Sequence, residues 1–213
     1  LLEYASALNA SGQKHRALAT YEKGLRASLN SKSRRQARNF LSWLLLDALY
    51  NHKIIKAKEY HRRLAELDAD DAYLQERLLG EAVIHAFEGR REASDRIFKE
   101  LEKIEKTSEF LIPNWKIIIA ENSRDWETVI GLNKELLDLI TKSNFREDLP
   151  QVYLSLATAY LHTNRRRECL EYLEKSISMI GEILASENGS LSLGLSDTFH
   201  TAYRLLTQIH LEH

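Results

Sequence analysis

The stretch Tyr153–Leu173, YLSLATAYLHTNRRRECLEYL, sets the pattern for the chain. Tyr153, Leu156, Ala157 and Tyr160 recur at i, i+3, i+4 and i+7, the spacing that gathers side chains on one face of an α-helix. The polar run from His162 to Arg167 breaks that face. Cys169 and Leu173, four apart, then restart an apolar stripe on a second helix. Ala157 and Cys169 are small enough for two helix backbones to approach closely. The stretch predicts two short helices joined by a tight turn.

The same signal returns upstream. The small residue of the second helix recurs as Ala17, Ala57, Ala93 and Val129 before Cys169, at spacings of 40, 36, 36 and 40 residues. Four residues past each anchor stand Tyr21, His61, Ile97, Asn133 and Leu173. Eight past each stand Leu25, Ala65, Leu101, Leu137 and Ile177. The second column is apolar throughout. In the first, His61 and Asn133 depart from the pattern and predict looser packing in the second and fourth hairpins.

This unit resembles the tetratricopeptide repeat, a helix–turn–helix of about 34 residues. In that family a large residue, a Leu, a small residue and an aromatic mark the first helix, and a small residue followed by a large one marks the second. Here these are Tyr153, Leu156, Ala157, Tyr160, Cys169 and Leu173. The resemblance implies an all-α fold, a right-handed α-solenoid of stacked helical hairpins. It would hold eleven helices: five repeats and one extra helix, in a single array over residues 1–210. The longer period here implies that some helices run an extra turn.

Composition agrees with an all-α chain. Two prolines and eight glycines in 213 residues leave long segments free of either helix breaker. The first hairpin is expected at 1–11 and 14–29, with Gly12 ending its first helix. The second falls at 34–51 and 53–67, with Ser33 as a cap. Its first helix carries the richest apolar face: Phe40, Leu41, Trp43, Leu44, Leu45, Ala48 and Leu49. Asp68, Asp70 and Asp71 predict a turn and a helix start. The third hairpin falls at 71–88 and 90–106 around Gly89, with Ala82 and Ala93 at its crossing. The fourth starts near Pro113, turns at Arg124 and Asp125, and continues from Trp126 to Ile140. The fifth starts at Pro150 after a capping Asp148 and ends in a long helix, Arg165 to about Ala185. Ser186–Ser196, SENGSLSLGLS, is the one Gly/Ser-rich stretch and reads as a mobile loop. A last helix, Asp197–His210, lacks a partner. One flank of its stripe Phe199, Tyr203, Leu206 and Ile209 is expected to stay open, and either to mediate self-association or to leave the helix to fray.

Lys plus Arg number 30 against 31 Asp plus Glu, a net charge of −1, so no basic balance draws the chain to nucleic acid or to an anionic membrane. The basic clusters around Lys32–Arg38, His61–Arg63 and Arg165–Arg167 fall in different repeats with acidic residues between them, and read as solvated helix ends. One cysteine allows no internal disulfide and suits a reducing compartment, the cytoplasm. No apolar run reaches the length of a membrane span. The chain has no initiator methionine, and Leu211, Glu212 and His213 look like the start of a histidine tag, so it reads as a fragment of a longer protein.

Catalytic chemistry finds no foothold. The eight histidines form no H-E-x-x-H pair and no Cys/His cluster with zinc spacing. No glycine-rich phosphate cradle occurs. Cys169 occupies a crossing position that Ala fills in three other repeats, and reads as a buried, inert thiol. No metal, nucleotide or other cofactor is expected, and no enzyme activity.

What remains is a surface. In the resembled family the first helices of the hairpins line a groove that binds peptides or partner helices. Carried over through the matched helices, the groove positions are Leu2, Ser6 and Asn9 in the first repeat, then Asn39, Ser42, Leu46 and Tyr50. They continue with Glu76, Leu79 and Val83, then Asn114 and Ile118, then Leu154, Thr158 and His162, and end with Arg204 and Gln208. The Lys–Asn–Arg clamp of the chaperone-binding members is not present. The resemblance thus implies a protein- or peptide-binding scaffold. The alternative is the effector-sensing part of a larger bacterial transcription regulator or signalling enzyme.

Overall fold

The structure, a computed structural model, describes residues 1–67, 72–104, 108–143, 146–186 and 193–211. These form eleven α-helices, the number expected, with no strand among the described residues. The chain divides into two compact units, Leu1–Ser108 and Glu109–His213. The first holds α1 (Leu2–Ala10), α2 (Lys14–Asn30), α3 (Arg34–Tyr50), α4 (Ile54–Leu67), α5 (Leu74–Phe87) and α6 (Arg91–Leu101). The second holds α7 (Leu111–Asn122), α8 (Trp126–Ser143), a 3-10 turn (Arg146–Asp148), α9 (Leu149–His162), α10 (Arg166–Ser186) and α11 (Leu193–Leu211). Within each unit every helix packs on its sequence neighbour. In the first unit α3 also touches α5, and in the second α9 touches α11.

One turn recurs. Gly12, Lys32, His52, Gly89, Arg124 and Asn164 have φ between 53° and 79°, each just past the end of a helix. The next residue donates its N–H to a carbonyl five back, at 2.8–2.9 Å: Gln13 to Leu8, Ser33 to Ser28, Lys53 to Ala48, Arg90 to His85, Asp125 to Ala120 and Arg165 to Tyr160. This Schellman geometry satisfies carbonyls that a helix end would otherwise leave bare. It stops each helix and turns the chain into the next within three residues.

Ser33, expected as a cap, opens α3 at φ −83° and ψ 87° without a side-chain cap hydrogen bond, and its backbone N–H donates to Ser28 O. Asp148 makes no side-chain cap either: it ends the 3-10 turn at φ −84° and ψ −17°, and an N-cap side chain needs an extended backbone. Pro113 and Pro150 both sit in a first helical turn, where the missing N–H costs nothing.

The core forms stripes along the second helices. In α2, α8 and α10 the buried positions are the anchor, +4, +7 and +11: Ala17, Tyr21, Gly24 and Ser28; Val129, Asn133, Leu136 and Ile140; Cys169, Leu173, Ser176 and Ile180. The +8 column is less consistent. Leu25 is buried, Leu137 and Ile177 are half-buried and Ala65 is exposed. At 100° per residue, +7 returns to within about 20° of the anchor, whereas +8 lies about 80° away. In α6 the stripe is displaced by one residue, to Ser94, Phe98 and Leu101, and Ala93 is only half-buried.

The two exceptions in the pattern are filled by hydrogen bonds. Asn133, 1% exposed, donates to Val129 O at 2.9 Å and to Ser155 Oγ at 3.0 Å, and Ser155 donates to Glu121 Oε1 at 2.7 Å. That chain ties α7, α8 and α9 together. His61 Nε2 lies 3.0 Å from Arg77 O across the α4–α5 seam. Neither residue leaves a gap.

At the C-terminus, α11 starts at Leu193, four residues before the expected start. Residues 193–196 of the expected loop are helical, while residues 187–192 lie outside the described residues, as does the expected turn at 68–71. Ala202 and Ile209 are buried, and Arg166 donates to Ile209 O, so this part of the helix is covered by its own chain. Tyr203 stays 44% exposed, with the Phe199 ring 4.5 Å away.

Candidate functional site

The first unit carries a cleft of about 400 Å³ lined by Asn9, Lys14, Ala17, Leu18, Tyr21, Trp43, Leu46, Asp47, Tyr50 and Asn51. Two helices build its walls by the same rule. Lys14, Ala17, Leu18 and Tyr21 fall at i, i+3, i+4 and i+7 on α2, and Trp43, Leu46, Asp47 and Tyr50 repeat that spacing on α3. Each set therefore stands on one helical face. Asn9, in the last turn of α1, adds a third side.

The aromatic residues are the main feature. Tyr21 is buried and its hydroxyl lies 3.3 Å from Ser6 Oγ. Its ring stacks on Trp43 with centroids 5.8 Å apart and planes 6° from parallel. Trp43 is nevertheless 41% exposed and Tyr50 55% exposed, while Leu46 between them is half-buried. Trp43 was expected inside the core with the other apolar residues of α3. Phe40, Leu41, Leu44, Leu45, Ala48 and Leu49 are inside, but Trp43 is turned to the cleft.

The polar groups are not equivalent. Asp47 is satisfied internally: Asn51 Nδ2 donates to its Oδ1 at 3.1 Å and to its backbone O at 2.8 Å, and Lys53 Nζ lies 3.7 Å from Oδ2. Lys14 and Asn9 are exposed and have no side-chain hydrogen bond or ion pair among the described residues.

Of the expected groove residues, Asn9, Leu46 and Tyr50 meet in this cleft. Leu2 and Asn39 line a second, more open concavity of about 670 Å³ floored by Gly24, Ala27 and Ser28. There Asn39 accepts the hydroxyl proton of Tyr73. Glu76 is half-buried on α5. Ser42, Leu79 and Val83 are not on an open surface: they are 8%, 2% and 0% exposed. These three are buried where helices α3 and α5, which pack on each other, leave no surface for a ligand, whereas Leu46 and Tyr50 on another face of α3 line the cleft.

In the second unit Asn114, Arg204 and Gln208 are exposed, and Ile118 and Thr158 are half-buried. Thr158 donates to Leu154 O at 2.9 Å. Leu154, 6% exposed, belongs to the core and not to a groove. His162 stacks on Trp126 at 4.1 Å, so one of its ring faces is already occupied. None of these seven lines either cavity described above.

Cys169 is fully buried and burial pushes its thiol up to about 11, which keeps it protonated at neutral pH. Among the described residues no group of three or more His, Cys, Asp or Glu is placed to hold a metal ion. Among them, too, no helix is long and apolar enough to cross a membrane.

The sequence singled out three of the ten cleft residues and misassigned Trp43. The available signal was the repeated i, i+3, i+4, i+7 set on α2 and α3, read as two core faces when one edge of each is shared with solvent. Compared with known protein families, curated proteins and solved structures, the chain matches none of them.

Proposed function

We propose that this chain is a tetratricopeptide-like helical-repeat scaffold, not an enzyme, and that the cleft of its first unit binds a peptide segment of a partner protein. The observation that carries this reading is the pair Trp43 and Tyr50, large aromatic side chains 41% and 55% exposed on one face of α3 around Leu46. Exposed Trp and Tyr of this kind are what binding surfaces enrich, and Trp43 is held in place by its stack on Tyr21. The recurring Schellman turn and the α3–α5 contact support the repeat reading. A single, buried thiol suits a reducing compartment such as the cytoplasm.

Panning a random-peptide display library on the protein tests the proposal. Peptides should emerge that bind the protein but lose affinity by about tenfold or more for Trp43→Ala or Tyr50→Ala, the range of a modest hot spot. Peptides indifferent to both substitutions would refute it.

The size of the cleft favours one second reading. About 400 Å³ lies within the range of small-molecule sites, which supports an effector-sensing segment of a larger regulator. Self-association through α11 is proposed on a separate observation, the exposed Tyr203 beside Phe199. Sedimentation should show a dimer that Tyr203→Glu dissolves, and a monomer at high concentration would refute it.

A further inference from the structure

The cleft holds an imbalance of charge that specifies its ligand further. The inference rests on the cleft being a peptide site. Its only carboxylate, Asp47, already has partners: Asn51 Nδ2 donates to it at 3.1 Å, and Lys53 Nζ, outside the cleft lining, lies 3.7 Å from it. Its only ammonium, Lys14, is exposed and has no carboxylate partner among the described residues. The Asn9 amide and the Trp43 indole N–H likewise have no acceptor among the described residues, although both line the same cleft. Three donors, one of them charged, therefore surround a surface made of Trp43, Leu46 and Tyr50, and no negative charge there is left to be answered. Charge-assisted hydrogen bonds to a carboxylate are the strongest these donors can make.

We infer that the preferred ligand is an acidic–aromatic peptide segment: one large apolar side chain seated against Trp43 and Leu46, with a neighbouring Asp or Glu carboxylate on Lys14 and Asn9. The acidic residue supplies the selection through Lys14, since the aromatic faces by themselves attract cations and not carboxylates. Basic segments are disfavoured by Lys14, and Asp47 cannot compensate while Lys53 and Asn51 hold it.

The test uses three dye-labelled peptides differing only in the residues beside a central Phe: Ser-Glu-Phe-Glu-Ser, Ser-Gln-Phe-Gln-Ser and Ser-Lys-Phe-Lys-Ser. Fluorescence polarisation is read against the whole chain at low salt. The Glu peptide should bind about fivefold more tightly than its Gln counterpart, the size expected of a partly exposed charge pair. The Lys peptide should bind more weakly still, and added salt should narrow the differences. Lys14→Glu, a change at an exposed position, should reverse the order of the Glu and Lys peptides. Equal binding of all three peptides, with Trp43→Ala weakening each, would overturn the acidic preference and leave the cleft reading standing. Binding that neither Trp43→Ala nor Lys14→Glu alters would overturn both.

Discussion

Glycine 24 shows how one residue can decide a contact. A Cβ built on Gly24 would lie 2.3 Å from the Phe40 ring, so α2 and α3 pack as closely as they do only because that atom is absent. Gly24→Ala should therefore destabilise by about 1–3 kcal/mol through overpacking. Gly131 and Gly181 are also inside helices, but nothing lies within 4 Å of a Cβ there. Alanine at either should stabilise by roughly 0.4–1 kcal/mol, because it lowers the entropy of the unfolded chain and has the better helix propensity. Urea unfolding of the three variants checks both signs. The same scale holds Cys169, whose buried thiol should resist a thiol reagent in the native protein and react only on unfolding. Much at this scale was legible. Ala17, Ala57, Val129 and Cys169 are buried as their spacing requires. Asn133 and His61 were read as defects because a sequence shows that a polar group is in the stripe but not that Ser155 and the Arg77 carbonyl stand ready to meet it.

At the scale of the element, the turns are the most regular feature: the sequence placed them, but it did not show that they share one geometry. Gly12 and Gly89 announce theirs, and Asn164 is a residue that tolerates the left-handed conformation. Lys32, His52 and Arg124 do not announce the left-handed geometry, although a turn was expected at Arg124; a Cβ in that conformation costs about 1–2 kcal/mol and is accepted where the six-residue hydrogen bond closes around it. Arg124→Gly should accordingly raise stability by about 1 kcal/mol, measured as a shift of the denaturation midpoint with unchanged slope. The α4–α5 seam makes a second prediction. Burial lowers the pKa of His61 below its ordinary value, outweighing the Arg77 carbonyl and the Glu81 charge that favour the proton, while Arg77 and His85 add to the lowering. A histidine depressed in this way is neutral in the fold and protonates more readily when unfolded. Its contribution is complete above the unfolded value near 6.5 and is lost as the pH falls from there toward the folded value. Thermal unfolding should show a fall in stability as the pH drops below about 6.5 that His61→Gln reduces. An unchanged slope in that variant would remove His61 as the cause.

At the scale of the whole chain, two compact units of helices each bury their own stripes, and the first carries the cleft lined by Trp43 and Tyr50. The all-helical class and the number of helices followed from the 3.6-residue spacing and the scarcity of helix breakers. The binding residues followed less well, because a groove position carried over by resemblance says which helix face matters but not how closely the next helix covers it. Leu79 and Leu154 were lost to the core in this way, and Trp43 was gained. The three tryptophans report on the account directly. Trp43 lines the cleft, Trp115 is 1% exposed in the core, and Trp126 stacks on His162. An NMR titration of the isotope-labelled protein with a library-selected peptide reads all three indole N–H signals at once. The account predicts that the Trp43 signal moves and saturates, together with backbone signals of Asn9, Lys14, Leu46 and Tyr50, while those of Trp115 and Trp126 hold still. A saturating shift of Trp126 or Trp115 with Trp43 unmoved would contradict it.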